Sequence, residues 1–230
     1  MAYPTAIFFK KGILKLLNIP ILRDYYIEKE YLYAKKTCTI QPGLTVLTGC
    51  NGIGKTTLLH QIKKYCEENK IPCFSFDNLT NGGSNARSKA GFYGDVNFLA
   101  TAMCSSEGEN INMNIGKCAC SIGKLVKTNE NAKQIVILMD AIDSGLSVDY
   151  IIEVKEYLFK TIINDCKNRN IDVYIIVSAN EYEMARGENC LTLPSLSYRQ
   201  FKTYDSYRKF IIRTRNNKNK RYGDEPFEFA

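Results

Sequence analysis

Apolar residues along this chain fall into two alternating patterns. Uninterrupted runs occur at 44–49 (LTVLTG), after Pro72 (CFSF), at 134–139 (QIVILM) and at 171–178 (IDVYIIVS). The last two are rich in β-branched residues, as strands covered on both faces should be. Between the runs, apolar positions recur at helical spacing. Leu58, Leu59, Ile62 and Tyr65 line one face of TTLLHQIKKYCEEN, and 148–168 reads as a long amphipathic helix. The alternation predicts an α/β fold, a mostly parallel sheet with flanking helices, and there is no internal repeat. NLTNGGSNARS, after CFSF, is dense in Gly, Asn and Ser and reads as an exposed loop, with Arg87 and Lys89 at or just beyond its end within reach of phosphate or solvent.

The junction between the first strand and the first helix carries the chemistry. Residues 49–57 read GCNGIGKTT, the spacing and context of a phosphate-binding P-loop, and the fold is therefore expected to be that of a P-loop NTPase. Its glycines let the backbone turn so that N–H groups and a helix N-terminus face one anion. Lys55 reaches the β- and γ-phosphates and Thr56 takes Mg²⁺. Asn51, Gly52, Gly54, Lys55, Thr56 and Thr57 form the expected nucleotide contacts, with ATP and Mg²⁺ as ligands. The strand ILMD ends in Asp140, where a carboxylate can hold Mg²⁺ through water. Asp77 or Asn78, after CFSF, would be the nearest further polar groups to the metal and its water, and Asp77 joins Thr56 and Asp140 as a candidate metal ligand.

GCNGIGKTT, the ILMD strand and the SGLS turn that follows it resemble, in this order, the motifs of the ATP-binding cassette superfamily. The lead-in TCTIQPGLTVLTG fits as well, and the resemblance spans roughly residues 25–180. It implies an ABC-type ATPase head with a signature sequence opening a helix, for which MCSSEGENINMNIG is the candidate. Ser106 and Gly108 would then contact the ATP bound by a partner, giving a homodimer that closes on ATP. Read without the family, Ser105 or Ser106 caps a helix, with Glu109 completing a capping box. Ala141 stands where the family places the glutamate that polarises the attacking water. A methyl group cannot act as a base, so hydrolysis is expected to be weak or blocked. This alanine fits either a substitution that traps ATP or a naturally non-hydrolysing switch. Asn180 takes the place of the switch histidine and can still donate a hydrogen bond. The expected catalytic positions are thus Asp140, Ala141 and Asn180. Tyr25 and Tyr26 lie at the distance where family members stack an aromatic ring on adenine, although chance accounts for one of the 15 tyrosines falling there. His60, the single histidine, belongs to the helix after the P-loop.

Only about fifty residues separate Lys55 from Ser106, without heptads, so no coiled coil of the chromosome and repair class fits between them. The chain is similar to compact stand-alone ATPases of bacterial and phage genomes, phage-defence systems among them, that control a separately encoded effector protein. A non-hydrolysing ATP sensor or scaffold, and a DNA-binding ATPase of the repair type, are the alternatives.

Composition narrows the setting. With 230 residues and 45% hydrophobic content, one ATPase domain over 1–212 is expected, followed by a basic tail over 213–230. No stretch is apolar enough for a membrane span. Nine cysteines without a CxxC pair suit reduced thiols and a cytoplasmic location. The net charge of +7 is concentrated in 199–222, where nine Lys or Arg residues face the single Asp205. Tyr198, Phe201, Tyr204, Tyr207 and Phe210 recur at spacings of three within it, which predicts a packed terminal helix or a nucleic-acid contact. NNKNKRYGDEP reads as a solvated, partly disordered tail.

Overall fold

The computed structural model describes residues 15–22, 31–78 and 107–222. Two short strands, β1 (Leu17–Pro20) and β2 (Thr37–Ile40), form an antiparallel pair beside the main sheet. The main sheet comprises β3 (Gly43–Thr48), β4 (Cys73–Asp77), β5 (Gln134–Asp140), β6 (Asp172–Ser178), β7 (Asn189–Thr192) and β8 (Ser197–Arg199), in the spatial order β4-β5-β6-β3-β7-β8. Every pairing is parallel except that of β8 with β7. Each of the four apolar runs becomes a strand. The fold is the expected α/β one, a mostly parallel sheet with flanking helices.

Both faces of the sheet are buried because alternate side chains along each strand leave on opposite sides. On one face Ile135, Ile137, Met139, Val173, Ile175 and Val177 join a core with residues of α2 (Glu107–Thr128) and of the helix over 148–168. On the other, Leu47, Val136, Leu138, Tyr174 and Ile176 meet Leu58, Leu59 and Ile62 of α1 (Lys55–Glu68) and the β1-β2 pair. The helix over 148–168 is interrupted: α3 (Val148–Glu153) passes through a π-helical turn, Val154–Phe159, into α4 (Lys160–Asn168). A short α5 (Tyr182–Ala185) follows β6.

The C-terminal segment departs from the expected pattern. Tyr198 lies in β8 and Phe201 makes an isolated bridge with Arg186, so the helix α6 begins only at Tyr204 and runs to Tyr222. Residues 213–222, read from composition as the start of a tail, are helical. Tyr207, Phe210 and Thr214 are buried along one stripe, and Phe201 packs against the rings of Phe210 and Tyr207 at 5.2 and 5.3 Å. Arg208, Lys209, Arg213 and Lys220 are exposed on the other side of this packed helix, whereas Lys218 shares the face of Tyr207 and Thr214. β7 and β8 were not legible in sequence because they are four and three residues long and lack an extended apolar run.

Candidate nucleotide site

The site is assembled at the carboxyl ends of β3, β5 and β6. Because β6 lies between β3 and β5, the loops after all three strands converge on one crevice. The chain leaves β3 at Thr48, passes through the P-loop and enters α1 at Lys55. Gly54, the residue before the helix, has φ 100°, and a Cβ there would lie 2.9 Å from Leu32 Cδ2, so both conformation and space require glycine. Tyr33 fastens the same turn by donating its hydroxyl to the Gly54 carbonyl at 2.7 Å.

Lys55 is buried, and its ammonium donates to the carbonyls of Gly49 at 2.8 Å and Cys50 at 3.4 Å. Burial pushes its pKa below the ordinary lysine value, while Cys50, Asp143 and Asp140 act in the opposite direction. A buried ammonium held by neutral carbonyls is suited to exchange them for phosphate oxygens, which are charged and bind it more strongly.

Asp140 ends β5 as a nearly buried carboxylate. Ser178, the last residue of β6, donates its hydroxyl to Asp140 Oδ1 and accepts the Ala141 N–H at 2.9 Å. One serine thus orients the carboxylate and the start of the following turn. Ala141 itself has φ 50°, a conformation uncommon for residues other than glycine. Asp143, 1% exposed, accepts the backbone N–H groups of Asn180 and Glu181 through Oδ2, each at 2.6 Å. Burial raises its pKa and those two N–H bonds offset part of the rise. Asn78 completes the tether, donating its amide to the carbonyls of Ala141 at 3.1 Å and Ser144 at 2.9 Å.

Asn51, Gly52, Gly54, Lys55, Thr56 and Thr57 all line one cleft of about 410 Å³. Asp140, Ala141, Ser178 and Asn180 face them across it. The structure therefore brings the P-loop and the three positions expected to be catalytic into one place. The oxygen groups of Thr56 and Asp140, with phosphate and water, suit Mg²⁺. Asp77 sits at the end of β4 in register with Asp140 but is not among the residues lining this cleft. Asn78 is committed to the turn after β5. Gly108 lies in the first turn of α2, whereas Ser106, Tyr25, Tyr26, Arg87 and Lys89 fall outside the described residues. His60 is exposed on α1.

Sequence reasoning missed Ser178 and the contribution of α6. Ser178 had a faint signal, since it is the small hydroxyl that closes the apolar run IIV. Tyr207, Thr214 and Lys218 are spaced seven and four apart, which puts them on one helical face, but nothing local says what that face meets. It meets the site: Tyr207 donates to the Asn180 carbonyl at 2.8 Å, Thr214 Oγ1 accepts the Cys50 N–H at 3.2 Å, and Lys218 donates to the Asn51 carbonyl at 3.1 Å.

A glycine-turned loop between strand and helix, with a buried lysine facing a carboxylate two strands away, defines a P-loop nucleotide site. The chain belongs to the AAA family, the ATPase family associated with various cellular activities, whose model matches residues 45–191 and so runs from the P-loop strand through β7. No curated protein matches the chain significantly. No described helix is long and apolar enough to cross a membrane.

Proposed function

We propose that this ATPase domain is an ABC-type head that binds ATP with Mg²⁺ and uses the bound nucleotide to close a homodimer, and that the closed dimer controls a separately encoded effector protein. The AAA family match supports the ATPase class. The order of P-loop, Asp140 strand and SGLS turn supports the finer reading. Lys55, Thr56 and Asp140 are the residues to hold the nucleotide and its metal, which when bound would neutralise charge on the terminal phosphates. Ser106 and Gly108, the latter in the first turn of α2, would complete a partner's site.

The observation that carries this reading is Ala141. It lines the cleft beside Asp140, where a water-activating carboxylate belongs, and its methyl group can neither accept nor relay a proton. Asp143 does not take over this part, because its Oδ2 accepts two backbone N–H groups and the residue is buried. The chain therefore holds ATP and seldom cleaves it. Restoring the carboxylate with Ala141→Glu should bring steady ATP hydrolysis, by at least about tenfold over the parent, as expected for a positioned general base. Rapid turnover by the parent, or none in the variant when ATP is bound, would overturn the assignment. An ATP-dependent dimer that persists unchanged in Ser106→Arg would remove the signature reading.

A second reading is favoured by α6, whose outward face carries the exposed Arg208, Lys209, Arg213 and Lys220. Such a face suits nucleic acid as the partner, with the ATPase acting on DNA through 199–222. It predicts binding to duplex that weakens steeply with salt. Affinity indifferent to charge reversal of these four residues would dismiss it.

A further inference from the structure

Lys218 lies 163 residues beyond Lys55, yet its ammonium rests on the same loop. It donates to the Asn51 carbonyl at 3.1 Å. A Cβ built on Gly52, whose φ is 73°, would stand 2.6 Å from the Lys218 Nζ. The backbone conformation calls for glycine here, and the short distance shows how closely the Lys218 ammonium lies over the loop. The placement is held at two further points on the same helical face: the Cys50 N–H to buried Thr214, one turn earlier, and Tyr207 to the Asn180 carbonyl.

Lys218 also borders a cavity of about 580 Å³ between α6 and the P-loop. Asn51 and Asn180 line both this cavity and the nucleotide cleft, so the two meet between them. In each, a lysine ammonium rests on P-loop carbonyls: Lys55 on Gly49 and Cys50 from within, Lys218 on Asn51 from the outer rim. A carbonyl is a weaker acceptor for an ammonium than a phosphate oxygen. A flexible four-carbon stem can make the exchange without movement of the helix.

We propose that Lys218 is a second phosphate-binding lysine of this site, reaching the terminal phosphate and making the domain prefer a nucleoside triphosphate to a diphosphate. This rests on the ATP reading above. Titrations of ATP and ADP, each with Mg²⁺, against the parent, Lys218→Gln, Lys218→Arg and Lys167→Met test it, with thermal melts to confirm folding. Glutamine keeps a donor for the Asn51 carbonyl but removes the charge. Lys218→Gln should weaken ATP binding about tenfold, the scale of one charge-assisted hydrogen bond, and ADP binding by less than about twofold. Lys218→Arg should retain the preference, and Lys167→Met, at an exposed lysine of α4 that lines neither cavity, should alter neither affinity. Equal losses for ATP and ADP, or none for either, would overturn the proposal. A parent that binds neither nucleotide would instead overturn the ATP reading itself.

Discussion

The P-loop and the C-terminal helix α6 flank the same crevice, but they are built on different length scales. In the P-loop the contacts run between near neighbours: Lys55 bonds a carbonyl six residues away. In α6 they run across the chain, with Thr214 and Lys218 bonding P-loop backbone 164 and 167 residues distant. The first region carries its function in its own spacing. The second acquires one only from where the sheet and the aromatic cluster of Phe201, Tyr207 and Phe210 put it. A motif and a basic tail in sequence thus become two walls of one site.

Substitutions separate these two kinds of dependence. The largest effect belongs to the local region: Lys55→Ala should weaken ATP binding by at least about a hundredfold, through loss of charge-assisted contacts to phosphate, while the protein remains folded. Calorimetric titration checks the first part and a thermal melt the second. If binding survives, the P-loop is not the nucleotide site.

Next comes Asp143, which links the turn after β5 to the Asn180 loop that α6 also grips. Asp143→Ala leaves the partly buried N–H groups of Asn180 and Glu181 without their acceptor, and should cost about 1–3 kcal/mol in denaturant unfolding. Asp143→Asn keeps an acceptor and removes the charge. Because the folded carboxyl has a pKa above its ordinary 3.8, the parent should lose stability as pH rises from near that value through the folded pKa. The asparagine variant should lack this fall, and equal pH profiles for the two would contradict the burial argument.

Thr214→Val sharpens the long-range side. It leaves the Cys50 N–H without its hydroxyl acceptor and should cost about 1–2 kcal/mol, with Thr214→Ser restoring most of it. A neutral valine would mean that α6 merely covers the loop. The smallest effect is expected for Lys209→Met, whose ion pair with Asp205 at 2.7 Å is exposed on both sides. Its change in stability should stay within about 0.5 kcal/mol.

Much of the architecture was readable because strands covered on both faces need continuous apolar runs, and a P-loop needs glycine, lysine and hydroxyl at set intervals. QIVILM ending in Asp140 and IDVYIIVS ending in Ser178 became the two strands that present those side chains, as their composition predicts. The assignment of 213–222 to a tail was a misreading for an equally physical reason. The Asn, Lys and Arg of 213–222 resemble a solvated tail when burial is unknown, but helix stability in proteins comes mainly from a packed face. Here that face needs only Tyr207, Phe210, Ile211 and Thr214. The spacing of three from Tyr198 extended the helix too far back, since Tyr198 sits in a strand, where its hydroxyl accepts the Gln41 N–H at 3.0 Å and shares a hydrogen bond with the Thr45 hydroxyl.

The sequence by itself determined that this chain has a P-loop, a carboxylate strand to match it and no carboxylate at position 141, because each is written in residues adjacent along the backbone. Only the tertiary structure decided which polar groups stand around that loop. It committed Asn78 and Asp143 to holding turns, gave Ser178 the task of orienting Asp140, and carried Thr214 and Lys218 onto the P-loop. These are contacts between residues far apart in the chain, fixed by strand order and by burial of an aromatic cluster, and no local spacing encodes them.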